Sequence, residues 1–180
     1  SKMKIQSLSY LLIETTNLHE WADYAKDVVG LMKNDSLSDE QNLYLRMDEK
    51  SFRFHITLGD SKRFLAAGFS LADKAAFDDA KSELDQANID YEDMGDEIAT
   101  LRCVEECIAL CDPAGNRLEL SYGSKDSSEP FLSTQDIKGF ITEGLGFGHV
   151  VFAAPDLEPT HRFYIDVLGF GDSDYMNFPM

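Results

Sequence analysis

Among the side chains that could bind a metal or move a proton, His149 stands apart because of its place in an internal repeat. Leu8-Ser9-Tyr10-Leu11-Leu12-Ile13, Asn17-Leu18 and Asp27-Val28-Val29-Gly30-Leu31 come back without a gap, 139 residues on. The second copy is Phe147-Gly148-His149-Val150-Val151-Phe152, Asp156-Leu157 and Asp166-Val167-Leu168-Gly169-Phe170. Each copy reads as a strand, a capped helix and a glycine stop, a βα unit used at least twice. Where the first copy has Tyr10, the second has His149, whose imidazole can ligate a metal. A repeat that gains a ligand in one copy points to one half as scaffold and the other as active.

The remaining candidates read as structural. His19 follows a helix N-cap and is expected to face solvent. His55 lies in a strand between Phe54 and Ile56. His161 takes the place of Ala22 in the repeat and is a helix-packing position. Cys103, Cys107 and Cys111 are spaced as if on one face of an extended strand. Ligands at i and i+4 of a straight strand stand about 13 Å apart, too far to share one metal. The expectation for them is free thiols in a reducing compartment.

These residues must be positioned by elements that the sequence punctuates clearly. A strand over residues 5–13 leads to Asn17-Leu18-His19-Glu20, an N-cap with a glutamate placed to reach back to the cap N–H. Leu18, Trp21, Ala22, Ala25, Val28 and Val29 share one helical face, and Gly30 ends the run. Residues 43–47 and 52–56 read as a hairpin around Asp48-Glu49-Lys50. A second cycle follows: a strand over 64–71, then a helix capped by Asp73 with Ala76, Phe77, Ala80, Leu84 and Ala87 inward. Strands at about 103–110 and 117–122 flank the turn Asp112-Pro113-Ala114-Gly115. The order βαβββ therefore runs twice within residues 1–123. The polar, turn-rich start of residues 124–139 reads as an interdomain linker. A third cycle opens near Gly146, with Asp156 as cap and Pro159 in the first helical turn, and residues 140–180 hold only its beginning.

Composition narrows the function classes. A chain of 180 residues with 43% hydrophobic content can hold one full domain and part of another. A net charge of -17, from 33 acidic against 16 basic residues, argues against a nucleic-acid partner. No apolar run approaches the roughly 18 residues of a membrane helix, and the start does not read as a signal peptide. The expected location is the cytoplasm, with no membrane partner.

The module order and several motifs resemble a known family. Paired βαβββ modules are similar to the vicinal oxygen chelate superfamily, which includes the glyoxalases and bleomycin-resistance proteins. The stretch Gly139-Phe140-Ile141-Thr142-Glu143-Gly144-Leu145-Gly146-Phe147-Gly148-His149 is similar to the G-F-x-T-G-x-x-G-x-G-H motif that opens the catalytic domain of type I extradiol ring-cleaving dioxygenases, those of the 2,3-dihydroxybiphenyl or catechol type. Asp112-Pro113-Ala114-Gly115 before Leu118-Glu119-Leu120-Ser121-Tyr122-Gly123, Glu129-Pro130-Phe131-Leu132, and Phe163-Tyr164-Ile165-Asp166-Val167-Leu168-Gly169-Phe170 are further matches. The resemblance extends over essentially the whole chain.

It implies an α+β fold of curved mixed sheets with outer helices. It also implies Fe(II) held by two histidines and a carboxylate, with catecholate oxygens and O₂ taking the open positions. His149 would be the first ligand; the other two come from a module beyond the third. Val151 and Phe178 match positions that line the substrate pocket. In the first domain the ligand positions correspond to Tyr10, Ala66 and Glu119. Glu119 sits where glyoxalases place a metal glutamate, but the preferred reading is a strand carboxylate bonded to its neighbours. The chain by itself is expected to hold no iron and to be inactive, and to self-associate as a homo-oligomer. A glyoxalase-like or bleomycin-resistance-like role, or a non-catalytic binding or scaffold domain, is the alternative.

Overall fold

The computed structural model describes residue 5 and residues 7–24 and 31–132. His149, Val151, Phe178, the third cycle and residues 133–139 of the expected linker lie outside the described residues. Two modules are present. The first holds β1 (Ser7–Thr15), α1 (Leu18–Tyr24), β2 (Met32–Lys33), β3 (Asn42–Arg46) and β4 (Phe54–Leu58). The second holds β5 (Arg63–Ser70), α2 (Lys74–Gln86), β6 (Glu92–Asp93), α3 (Gly95–Leu101), β7 (Glu106–Cys111) and β8 (Arg117–Tyr122). All eight strands form one sheet in the order β2-β3-β4-β1-β5-β8-β7-β6. Each module contributes a four-stranded half whose first strand runs parallel to its last, and β1 and β5 join the halves antiparallel. The fold is α+β with a mixed sheet, as the sequence leads one to expect.

Alternation decides which side chains go where. Leu11, Ile56, Ala67, Phe69, Leu118, Leu120 and Ile108 point to the side covered by the helices, where Phe77, Ala80 and Leu84 of α2 meet them. Those three follow the i, i+3, i+7 spacing of a helix face. Ala87, expected on that face, is exposed because it is already the C-cap. Asp73 caps α2 by accepting from the Ala76 N–H at 2.9 Å. Asn17 caps α1 by accepting from His19 and Glu20 at 3.0 and 3.4 Å. Glu20 does not reach back to the cap; its carboxylate pairs with Lys62 at 3.5 Å.

The opposite face carries Tyr10, Leu12, Tyr44, Phe52 and Ala66. At the start of β1 a register shift between Leu8 and Tyr10 resets the alternation. The extra residue of the bulge sends Leu8 to the helix side while turning Tyr10 to the other.

A further sequence expectation needs correction. Residues 103–105 are not strand: α3 occupies 95–101, and Cys103 follows it with φ of 56°. The Cys103 N–H bonds the Thr100 carbonyl and the Val104 N–H the Ala99 carbonyl, a Schellman ending. The same pair of bonds ends α2, with Asn88 at φ 55°. The three cysteines therefore do not share a strand face: Cys107 is buried on β7, Cys111 exposed at its end, and Cys103 sits on the turn.

The chain leaving β8 crosses back over the sheet. Ser51 donates to the Lys125 carbonyl through its N–H (3.1 Å) and its hydroxyl (2.9 Å), and the Lys125 N–H donates to the Cys103 carbonyl at 2.9 Å. Lys50 pairs with Asp126 at 2.9 Å. Residues 124–127 thus tie the β3–β4 connection of the first module to the end of α3 in the second.

Candidate functional site

The sheet pairings define which positions of the two modules are equivalent. Leu11 opposite Ala67 marks the centre, and the pair Leu12–Ala66 mirrors the pair Gly68–Tyr10. Tyr10 is therefore the counterpart of Ala66. In the same way Leu12 lies beside His55 and Gly68 beside Glu119, so His55 on β4 is the counterpart of Glu119 on β8. Four positions, Tyr10, Ala66, His55 and Glu119, face the side of the sheet away from α1 and α2.

At the second module's end of this face lies a buried charged cluster. Glu119 is 0% exposed. Its Oε1 accepts from the Tyr10 hydroxyl at 2.6 Å and from Arg102 Nε at 2.8 Å, and its Oε2 accepts from Arg102 Nη2 at 3.3 Å. Arg117 adds a longer contact at 3.6 Å. The Cys107 thiol donates to Oε1 at 3.6 Å. Every member has a local reason to be there. Gly68 separates Tyr10 from Glu119 in the row of paired residues, and a Cβ at Gly68 would overlap the Tyr10 ring. Only glycine lets the phenol cross β5 to the carboxylate. Arg102 is the C-cap of α3, and the left-handed Cys103 turns the chain immediately after it.

Electrostatics follow from this geometry. Burial works to raise the Glu119 pKa, but the hydrogen bonds and charge of Arg102, then the Tyr10 hydroxyl and Arg117, hold it below its ordinary value. Burial and the adjacent Glu119 charge push Tyr10 well above the usual phenol range. Burial, then Glu119, pushes the Cys107 thiol up to about 12. The cluster is a fixed ion pair with a second, more distant cation in Arg117 and with Tyr10 and Cys107 held neutral beside it.

At the first module's end the same face is aromatic and neutral. The His55 ring stacks on Tyr44 with centroids 4.1 Å apart, and its Nε2 lies 2.8 Å from Asn42 Oδ1. Burial, then the Arg102 charge, lowers its pKa to about 4. Phe52 fills the middle, 5.3 Å from the Tyr10 ring and 5.2 Å from Tyr44. The space bounded by Tyr10, Phe52, Arg102, Cys103 and Lys125 is about 10 Å³, room for one water at most.

This face does not fit a transition metal. Tyr10 and Ala66 offer a phenol and a methyl, and both Glu119 oxygens already bind a guanidinium. Among the described residues no three His, Cys, Asp or Glu side chains converge as a metal site. Sequence reasoning selected Tyr10, Ala66 and Glu119 as corresponding positions, and the structure sets them on one face. It missed Arg102, because residues 95–101 carry no long apolar period and the cysteine spacing read as strand. It also set His55 apart from them, although the mirrored pairing makes it the counterpart of Glu119.

The arrangement has known relatives. The family named dihydroxybiphenyl dioxygenase BphC D1 matches residues 8–59. An iron-dependent extradiol dioxygenase of Rhodococcus jostii is 36% identical over 98% of this chain and 58% of its own length. A biphenyl-2,3-diol 1,2-dioxygenase of Paraburkholderia xenovorans is 32% identical over 99% of this chain and 59% of its own. A solved catechol 2,3-dioxygenase superposes on 94% of the chain with a TM-score of 0.84 and 33% identity, covering 56% of that structure. The fold is that of the vicinal oxygen chelate superfamily. Within it, the chain is similar to extradiol dioxygenases over nearly its whole length. It spans less than two thirds of the length of these relatives. Among the described residues no helix is long and apolar enough to cross a membrane.

Proposed function

We propose that this chain forms the non-catalytic first domain and the opening of the catalytic domain of an Fe(II)-dependent extradiol dioxygenase that cleaves a catechol-type ring with O₂. One observation carries the reading: identity of 36% to an iron-dependent extradiol dioxygenase runs over 98% of the chain, across both copies of the βα repeat. In this reading residues 1–123 are the scaffold, 124–139 the connection and 140–180 the start of the active half. His149 is the first iron ligand. Val151 and Phe178 line the pocket. Leu12, the repeat partner of Val151, lies in the same cluster as Tyr10, the partner of His149, which supports giving the second pair a shared face. Bound Fe(II) would supply the site that brings the ring's two hydroxyls and O₂ together. The protein is a cytoplasmic homo-oligomer with no nucleic-acid or membrane partner.

The test uses a protein in which this chain is continued by the rest of the third module and the module after it that would carry the other two ligands. Anaerobic loading should give one Fe(II) per subunit and convert catechol or 2,3-dihydroxybiphenyl to a yellow ring-cleavage product. His149→Ala should lose both iron and product, because two remaining ligands do not fix the geometry. The 180-residue chain alone should hold no stoichiometric iron. Full activity in His149→Ala would refute the ligand assignment.

A further inference from the structure

We infer that Arg102 serves this domain as a built-in cation, occupying the place that a metal ion would take beside Tyr10 and Glu119 and thereby closing the face to metals. The internal repeat makes Tyr10 the counterpart of a histidine, yet both oxygens of the neighbouring Glu119 are already taken. What converges on them is a guanidinium. Arg102 contacts Glu119 at 2.8 and 3.3 Å, and its side chain is 12% exposed. Arg102 Nε and the Tyr10 hydroxyl share the same Glu119 oxygen, so the guanidinium meets a side chain of each module at one point, as a shared metal would.

The surroundings are arranged for a large cation. Ala109 is opposite Glu119, whereas Tyr44 is opposite His55 at the mirrored pairing. The small side chain leaves room beside Glu119 on this face. α3, which has no counterpart between β2 and β3, delivers the residue, and its Schellman ending fixes the approach. Residues 124–127 then cover it from outside through Lys125. A buried carboxylate requires a compensating positive charge. Here the chain supplies that charge itself, so the domain folds without any ion.

The deciding experiment is a set of thermal melts on the full chain. Arg102→Met keeps most of the side-chain volume and removes the charge. It should lower Tm by more than about 10 °C. Arg102→Met/Glu119→Gln removes both charges and should recover at least half of that loss, whereas a purely packing role for Arg102 predicts no recovery. Melts in ZnCl₂ read the cation seat directly. Arg102→Ala frees Glu119 with Cys107 and Tyr10 beside it, and zinc should raise its Tm while leaving the wild-type chain and Arg102→Ala/Glu119→Gln unmoved. Equal zinc shifts in all three, or no recovery in the Met/Gln double variant, would overturn the inference. Should Arg102→Ala fail to fold even with zinc, the Met and Met/Gln pair decides alone.

Discussion

At His55 and Glu119, positions made equivalent by the mirrored pairings, the two modules bury a polar side chain in different ways. His55 is kept neutral. Burial favours the uncharged ring, Tyr44 covers one face of it, and a single hydrogen-bond partner, Asn42, satisfies Nε2. Glu119 is kept ionised, and that demands far more of its surroundings: a guanidinium, a phenol, a bridging glycine and an additional short helix. The first module needs only the connection of residues 34–41 in the corresponding place, from which Leu37 packs on the aromatic cluster. The difference shows how a near-symmetric sheet acquires asymmetry: one buried charge obliges its neighbours to change with it.

The largest test of this contrast is truncation at the two equivalent positions. Glu119→Ala leaves Arg102 held in a closed site without its carboxylate and Tyr10 without its acceptor, and should cost about 3–5 kcal/mol. His55→Ala removes one hydrogen bond and a stacked ring, for about 1–2 kcal/mol. Urea unfolding monitored by circular dichroism would measure both. Equal costs would mean that charge burial does not distinguish the modules.

A second pair of variants tests the crossing of β5. Gly68→Ala drives a Cβ into the Tyr10 ring and should cost about 2–3 kcal/mol, since the phenol must leave Glu119 or the strands must part. The reverse change two residues away on the same strand, Ala66→Gly, meets no such obstacle and should cost about 0.5–1 kcal/mol from backbone entropy. If Gly68→Ala proved as mild as Ala66→Gly, the tyrosine would not need the glycine.

How much of this was legible in the sequence follows from the same contrast. The helix-covered face could be read because alternation and the i, i+3, i+7 spacing of Phe77, Ala80 and Leu84 depend only on local periodicity. The caps Asn17 and Asp73 were readable for the same reason, and the 139-residue repeat pointed to Tyr10. Arg102 was not readable. Its role depends on a seven-residue helix ended by a cysteine in a left-handed conformation, a choice that propensity disfavours and tertiary packing of Ala99 and Val104 against Cys107 overrides. The kinship of His55 and Glu119 was equally hidden, because it lives in the register of β1 with β4 and β5 with β8, which no local pattern specifies.

Acid should separate the two modules in a fixed order. The pKa of His55 is lowered by burial from its ordinary 6.5 to about 4, so the unfolded chain takes up the proton first. Stability from this residue is complete above about 6.5 and lost as pH falls toward 4. Glu119 is likewise depressed below its ordinary 4.5, so its contribution persists above that value and is lost only at lower pH, as the folded carboxylate protonates. Stability of the wild type should therefore decline in two stages. In His55→Phe the stage between 6.5 and 4.5 should flatten, as read from urea midpoints across pH. An unchanged slope there would assign the loss to other groups.

The smallest effect is expected at Cys107, which touches the charged cluster without sustaining it. Its sulfur lies 3.6 Å from Glu119 Oε1 and 3.8 Å from the Tyr10 hydroxyl, long contacts for a weak donor. The carboxylate already has shorter partners in Tyr10 and Arg102. Cys107→Ala should therefore cost about 1 kcal/mol, mostly for the lost sulfur volume against Ala99 and Val104. The thiol should also be the slowest of the described cysteines to react. It is buried and its pKa is pushed up to about 12, so almost none is thiolate at neutral pH, whereas Cys111 is exposed at the end of β7. Brief iodoacetamide treatment of the native chain, followed by peptide mass analysis, should find label at Cys111 and almost none at Cys107. Arg102→Met should leave that order intact, because losing the guanidinium only strengthens the pull of Glu119 against a second negative charge. Faster labelling of Cys107 than of Cys111 in the wild type would mean that this end of the sheet opens to solvent, and the contrast between a sealed ion pair and a neutral aromatic face would have to be withdrawn.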